Sequence, residues 1–219
     1  MTLPALLPLL LRGALVTLEV TALAAVLALG MGFAVGLLRL APSRLLRGLA
    51  TAYVEILRGT SALVQLFYLF YILPLFGLTL PPLATAVIGL GLNASAYASE
   101  VVRTTIGTVE RRQWEAALAL DMPPWLALHR IVLPQALPLM MPPFANQLVE
   151  LLKATALVSL ITLTDLTFAG SQLVTATGQK GLVWSLVLAL YFVMAFPLSR
   201  LSRRLERRLG GFRGAVTQP

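Results

Sequence analysis

Three polar side chains recur at helical spacing in an apolar part of the chain. Asn146, Glu150 and Lys153 are four and three residues apart, so they share one face of a helix. Ionised groups in a membrane helix cost several kcal/mol unless they are paired or hydrated. Glu150 and Lys153 therefore either neutralise each other or face a water-filled cavity, where they would bind the ammonium and carboxylate groups of a zwitterionic solute. The candidate site on this helix consists of Asn146, Gln147, Glu150, Lys153, Thr155 and Ser159.

A second polar stripe lies earlier in the chain, in a segment that is otherwise apolar. Asn93, Tyr97 and Ser99 are its principal members, with Glu100 beside them. Such side chains do not face lipid, because their polar groups would have no partners there. We expect the stripe either to contact neighbouring helices or to line a path for a solute.

Groups that perform catalysis are missing from the sequence. The chain has one His, no Cys, and no Gly-rich loop ending in Lys-Ser or Lys-Thr that would bind nucleotide phosphates. We therefore expect no catalytic residue, no metal and no cofactor in this chain. Any process that needs energy must be driven by a partner.

Composition indicates a single membrane domain. Hydrophobic residues make up 58% of the 219 positions, and the mean hydropathy is +0.85, which excludes an ordinary soluble domain. The formal net charge of +8 comes from Arg residues at the ends of apolar segments, a pattern typical of membrane orientation rather than nucleic-acid binding. One membrane domain over 1–219, with a core of about 13–205, is the prediction, embedded in a lipid bilayer.

Five spans are predicted, giving an all-α membrane protein. They lie at about 13–38, 49–76, 83–102, 137–162 and 182–201, after a short interfacial lead-in at 1–12. Basic loops at 39–47 and 103–130 and a basic tail after 200 alternate with loops that carry few charges. Because Lys and Arg collect on the cytoplasmic side, we expect the N-terminus outside and the C-terminus in the cytoplasm.

Local features add three expectations within these spans. In the first span, Gly30, Gly32 and Gly36 are either a close helix contact or simply the glycines common in membrane helices. In the second, Glu55 and Arg58 are three residues apart and predict a pair. In the fourth, three prolines predict an interrupted helix: Pro138, Pro142 and Pro143.

The charged segment 110–134 does not resemble a membrane span. Propensity predicts a short helix over 113–120 and a second over 125–133 that ends at Pro134, with Pro123 and Pro124 between them. Trp114 and the Ala/Leu face of 116–120 predict an apolar surface rimmed by charge, as expected of a helix that enters a groove on another protein. The alternative is an amphipathic loop that lies on lipid headgroups.

The same segment resembles the EAA loop of ABC importer permeases. The similarity rests on Glu115-Ala116-Ala117 and Ile131-Val132-Leu133-Pro134, and extends over roughly residues 13–205. Further matches to the polar amino acid branch, of histidine and glutamine type, are Glu55-Ile56-Leu57-Arg58-Gly59-Thr60, Ala96-Tyr97-Ala98-Ser99-Glu100-Val101-Val102-Arg103 and the run from Leu152 to Ile161. Asp121 stands where the family usually has Gly, and Ala154-Thr155-Ala156 where it often has Asp-Thr-Ser.

This resemblance implies a fold, a function and partners. The fold is the type I ABC importer (MetI-like) transmembrane domain, and the function is a permease subunit for a polar amino acid or a similar small zwitterion. The implied partners are two ATPase subunits, a second permease copy or homologous permease, and an external solute-binding protein. The implied path brings the stripe of Asn93, Tyr97 and Ser99 to the same cavity as Glu150. The implied coupling residues, which contact the ATPase, are Trp114, Glu115, Ala116, Ala117 and Asp121.

The sequence permits two roles for Asp121 and three classes of function. The family Gly permits a left-handed turn, which Asp also tolerates; Asp121 could instead cap the helix that begins near Pro124. Asp121 and the run 162–167 also resemble ectoine-type importers. A proton-coupled secondary carrier with Glu100 and Glu150 as relay groups is the alternative from another class, and a scaffold that transports nothing is a third.

Overall fold

Helices form the whole of the regular structure in the described part of the chain. The computed structural model describes residues 3–216, with side chains for 6–207. Nine α-helices follow one another within that range: α1 (Leu3–Leu38), α2 (Arg44–Gly59), α3 (Ala62–Phe67), α4 (Pro82–Gly107), α5 (Arg111–Ala119), α6 (Pro124–Ala127), α7 (Leu133–Ala154), α8 (Leu166–Thr177) and α9 (Lys180–Val216). The predicted all-α membrane architecture is confirmed.

Three helical segments are long and apolar enough to cross a bilayer. They are Leu6–Leu38, Pro124–Ile161 and Lys180–Arg207. The bent pair Arg44–Gly59 and Ala62–Phe76 makes a fourth if it counts as one span. At 26 residues, α4 is about 39 Å long, so it also reaches across the hydrocarbon layer. These segments are compatible with the predicted total of about five spans.

The first helix starts earlier than the sequence indicated. A short interfacial lead-in at 1–12 was the expectation, but α1 runs without a break from Leu3, with Pro8 inside it. Leu6 and Leu10 are fully buried in a cluster with α8 and α9 that includes Leu166 and Val183. Because this packing covers the first turns of α1, they belong to the bundle rather than to the membrane surface.

The second span is two helices rather than one. Its halves meet at a bend of 101°, and Ser43 caps the start of α2 by accepting from the backbone N–H of Leu46. Ala50 and Val54 of α2 pack with Val35 and Ala96. Beyond the bend, α3 and the turns that follow it run on to Phe76. The segment predicted as one span over 49–76 therefore consists of two helices joined at a sharp bend.

The fourth span, unlike the second, is one continuous helical segment. From Pro124 the chain stays helical through a π-helical turn at Leu128–Val132 into α7 and on to a 3-10 turn at Thr155–Ile161. The predicted helix end at Pro134 and the predicted interruptions at Pro138, Pro142 and Pro143 are wrong, because α7 contains all four prolines. Pro134, Pro138 and Pro142 are four residues apart, so they lie on one face of the helix. The backbone hydrogen bonds that these three prolines cannot donate are therefore missing from one side only.

The helix α4 occupies the centre of the bundle. It packs along α1, with α2 and α3 on one side and α7 on another. The contact with α1 is close because Gly36 leaves no room for a side chain: a Cβ there would lie 2.7 Å from the Cβ of Val102 and 3.0 Å from the carbonyl oxygen of Ser99. One side of α4 is thereby fixed, and its other side is left for the site.

Candidate functional site

A cavity of about 570 Å³ opens between α2, α4 and α7. It has room for a small solute. Polar and charged groups come to it from all three helices. The lining residues are Arg58, Leu90, Asn93, Ala94, Tyr97, Glu100, Val101, Thr104, Pro143, Gln147, Glu150, Leu151 and Ala154.

The wall formed by α4 is a single helical stripe. Asn93, Tyr97, Glu100 and Thr104 are spaced by four, three and four residues, so they face one way. The side-chain nitrogen of Asn93 donates to the carbonyl oxygen of Leu57 at 3.1 Å. Tyr97 is half-exposed to the open space. Two of the three predicted stripe residues, Asn93 and Tyr97, thus line the cavity.

The opposite wall comes from α7. The Gln147 side chain lines the cavity and donates from Nε2 to the carbonyl oxygen of Ala94, which ties α7 to α4. Glu150 also lines it, and its Oε1 accepts from Lys153 Nζ at 2.8 Å. Glu150 is thus ion-paired with Lys153 and also lines the cavity. Lys153 is not among the lining residues.

Four further candidates lie away from the cavity lining. Ser99 and Thr155 are fully buried, and their hydroxyl groups donate to backbone carbonyls of their own helices. Ser159 makes the same kind of bond, to Ala156. Asn146 faces α9, where its Oδ1 accepts from the Ser202 hydroxyl at 2.8 Å. These positions stabilise helices and helix contacts.

A cluster of charges at one end of the cavity was not predicted as a unit. The carboxylate of Glu100 accepts from Arg39 Nη1 at 2.5 Å and from Arg103, and Arg58 Nη1 lies 4.0 Å away. The Arg58 guanidinium also lies over the Tyr97 ring, 5.3 Å from its centroid. Arg58 is thus directed at α4 and not at Glu55, which corrects the pair expected from their spacing.

The segment 110–134 forms a hairpin of α5 and α6 that projects beside the end of α4. Asp121 lies between the two helices in the left-handed region, at a φ of 52°. The left-handed turn expected of Asp121 is confirmed. The helix α6 begins without a side-chain cap, so Asp121 does not cap it.

The exposed apolar surface of this hairpin differs from the one predicted. Trp114 is directed inwards and packs on a cluster that includes Val102 and Val132, and Ala117 is buried. The exposed apolar side chains are Leu118 and Leu120, which belong to the predicted Ala/Leu face, and Trp125, which was not predicted; their exposed fractions are 72%, 74% and 67%. Glu115 and Ala116 are exposed, and Glu115 pairs with Arg111 at 3.0 Å.

Comparison with known proteins identifies the family. A family model described as the binding-protein-dependent transport system inner membrane component matches residues 27–211. The chain belongs to this family. Its members are membrane subunits, so this permease is an inner-membrane protein.

Curated relatives match this permease over nearly their full length. A probable amino-acid ABC transporter permease, y4tF of Sinorhizobium fredii, is 43% identical over 209 residues, covering 93% of this chain and 88% of the relative. The L-cystine transport system permease TcyB of Bacillus subtilis is 36% identical, with coverages of 92% and 87%. The glutamine transport system permease GlnP of Escherichia coli is 31% identical, with coverages of 92% and 93%.

Solved structures agree with the fold. The structure of an amino acid ABC transporter with histidines superimposes with a TM-score of 0.88 at 33% identity, covering 95% of this chain and all of the other. An inward-facing form of the MetNI methionine ABC transporter matches with a TM-score of 0.80 at 22% identity and full coverage of both chains. The permease thus has the expected type I importer fold.

Proposed function

We propose that the chain is the permease subunit of an ABC importer that carries a polar amino acid or a similar small zwitterion. The observation that carries this proposal is the cavity between α2, α4 and α7, which has the size of a small solute and offers both cationic and anionic groups. The named substrates of the relatives, cystine and glutamine, are zwitterions of this size.

A second permease copy, identical or homologous, completes the path. Tyr97 and Glu150, which line the cavity, are substantially exposed, so their polar surface faces outward. Such a surface is costly against lipid. A partner subunit that covers it would enclose the solute between two cavity walls.

The hairpin of α5 and α6 is the surface on which an ATPase subunit would dock, one for each permease copy. Leu118, Leu120 and Trp125 expose apolar surface at its tip, beside the charged pair of Arg111 and Glu115. An apolar centre with a charged rim is the composition of a protein-binding surface. An external solute-binding protein would deliver the substrate, in keeping with the family description.

The alternative of a proton-coupled carrier finds less support. Glu100 is bound by two arginines and Glu150 by Lys153. A proton relay needs a carboxylate that is free to take up a proton and pass it on, and an ion pair with a cation opposes that uptake. Both candidate relay groups are therefore engaged.

The test is reconstitution of the permease with the ATPase and the solute-binding protein encoded beside it. Uptake of glutamine, histidine, cystine and ectoine into vesicles is measured with ATP, without ATP, and with ATP plus a proton uncoupler. We expect uptake of at least one of these solutes that requires ATP and survives the uncoupler. Uptake that the uncoupler abolishes while ATP stays high would favour the carrier instead.

The docking surface is tested in the same preparation by co-purification of the ATPase. Leu118→Ser and Leu120→Ser together should weaken ATPase binding at least tenfold, because hot-spot side chains at an interface each contribute on the order of 1–2 kcal/mol. Ala119→Ser, on the same helix, serves as the matched control. Glu115→Ala is expected to weaken binding less. Unchanged co-purification of the double variant would count against this surface.

A further inference from the structure

The charge cluster at the end of the cavity carries more positive than negative charge. Three guanidinium groups, those of Arg39, Arg58 and Arg103, lie around the single carboxylate of Glu100. The formal charge of these four side chains is therefore +2. Inside a protein such an excess attracts an anion strongly, because charges are screened less than in water.

The hydrogen bonds of Glu100 leave one arginine of the cluster available to bind a ligand. The two oxygens of Glu100 are used by Arg39 and by Arg103. At 4.0 Å, the Arg58 nitrogen is too far from the carboxylate for a hydrogen bond. Arg39 and Arg103 also each keep a buried Nε that finds no partner among the described groups. The cluster thus has more donors than acceptors.

Arg58 is the member of the cluster that best reaches a solute. It lines the cavity with 40% of its side chain exposed, whereas the Arg39 side chain is only 9% exposed. The ring of Tyr97 lies beneath the Arg58 guanidinium and holds it by a cation–π contact. The planar fork of a guanidinium matches a carboxylate with two parallel hydrogen bonds.

Lys153, the other cation near the site, is less suited to this task. It is not among the lining residues, and its ammonium group is paired with Glu150. We propose that Arg58, supported by the surplus charge of Arg39 and Arg103, binds the carboxylate group of the transported zwitterion. Arg58 then determines that the solute must carry a carboxylate. This inference rests on the proposed function and names the residue that selects its substrate class.

The experiment compares two ligands that differ only in the carboxylate. The probe is whichever of glutamine, histidine, cystine and ectoine the wild-type importer transports fastest, together with the derivative in which its carboxylate is replaced by a carboxamide. Equilibrium binding of both ligands is measured on the purified permease–ATPase complex. The solute-binding protein is left out, so that its own selectivity does not affect the measured affinities. The variants are Arg58→Gln and Arg58→Lys, with Arg47→Gln on the same helix as the matched control.

The expected result is a loss of discrimination. A charge-assisted hydrogen bond contributes about 1.5–3 kcal/mol, so the wild type should prefer the amino acid over the carboxamide by roughly tenfold to a hundredfold. In Arg58→Gln this ratio should fall to about one, while the carboxamide affinity stays the same. Arg58→Lys should keep part of the preference, and Arg47→Gln all of it.

Three results would overturn the inference. An unchanged ratio in Arg58→Gln would mean that another group binds the carboxylate. An equal loss for both ligands would mean that Arg58 only maintains the structure. A complex that transports the amino acid but binds neither ligand at millimolar concentration would also overturn it. If the wild type transports none of glutamine, histidine, cystine and ectoine, the proposed function itself fails, which is a separate result.

Discussion

The two sides of α4 differ in how closely they are packed and in the polarity of their side chains. The side against α1 is packed so closely that Gly36 meets Val102 and the Ser99 carbonyl oxygen. The side that faces the cavity carries Asn93, Tyr97, Glu100 and Thr104, and it is partly open. One helix therefore joins a rigid contact to a solute-sized space.

The difference indicates how stability and transport are divided between residues. On the packed side, a larger side chain would overlap the neighbouring helix and should destabilise the bundle. On the cavity side, substitutions of side chains without a buried charge partner change the groups that meet a solute and leave the packing intact. Glu100 is the exception, because its carboxylate also binds the buried Arg39. Three substitutions test this division and a fourth tests the hairpin. They follow in order of their expected effect on the free energy of unfolding.

Gly36→Leu should have the largest effect. Its side chain would overlap Val102, because even a Cβ would lie 2.7 Å from the Val102 Cβ. Overpacking of a close contact costs at least about 3 kcal/mol for a side chain of this size. Gly30→Leu is the matched control, since a Cβ there meets nothing within 4 Å. Thermal unfolding in detergent measures both, and equal stability of the two variants would show that the α1–α4 contact is not rigid.

Glu100→Gln should come next. It leaves the Arg39 guanidinium, whose side chain is 9% exposed, without its carboxylate partner. Breaking a fully buried pair costs about 3–5 kcal/mol, and we expect about 2 kcal/mol because Glu100 itself is partly exposed. Glu115→Gln is the control, because the pair with Arg111 lies on the surface and should contribute less than about 0.5 kcal/mol. Urea or thermal unfolding compares the two, and a cost as small as that of the control would speak against the cluster as a structural tie.

Asp121→Val should have a smaller and local effect. A β-branched residue at a φ of 52° is strained by about 1–2 kcal/mol, whereas Asp121→Gly removes the strain altogether. The Val variant should therefore lower the stability of the hairpin and the affinity for the ATPase, and the Gly variant should keep both. Protease sensitivity of the segment 110–134 measures the stability of the hairpin in the Val and Gly variants, and co-purification measures their affinity for the ATPase. If Val were tolerated as well as Gly, the left-handed turn would not matter for docking.

Tyr97→Leu should have the least effect on stability, within about 0.5 kcal/mol, because the side chain is half-exposed in the cavity. Its effect on transport should nevertheless be clear, since the ring under Arg58 is lost. ATP-driven uptake measured beside thermal unfolding separates the two properties. Loss of stability without loss of uptake would invert the division between the two sides of α4.

Much of the fold could be predicted from the sequence, but helix bounds and bends could not. The glycines of α1 are instructive. A Cβ at Gly32 or Gly36 would collide with α4, as their spacing of four predicts, but at Gly30 it would meet nothing within 4 Å. Gly30 is two residues before Gly32 and so points to a different side of the helix. Composition identifies the small residues, whereas only the neighbouring helix determines which of them are in contact.

The site could be predicted only in part, for a similar reason. Asn93, Tyr97, Gln147 and Glu150 were found because polar groups stand out in apolar spans. Arg58 was not predicted as a site residue because its partner Glu100 is 42 residues away in the chain and on another helix. Local spacing suggested Glu55 instead, since a neighbour on the same helix is all that a sequence pattern displays.

The unbroken helix from Pro124 through Ala154 has one mechanical consequence. Its 26-residue stretch between Pro124 and Glu150 is about 39 Å long, so a rigid tilt of ~10° about one end would displace the other by about 7 Å. A push on the tip of the hairpin would therefore reach the wall of the cavity as a movement of several ångströms, carried by a helix that continues without a break.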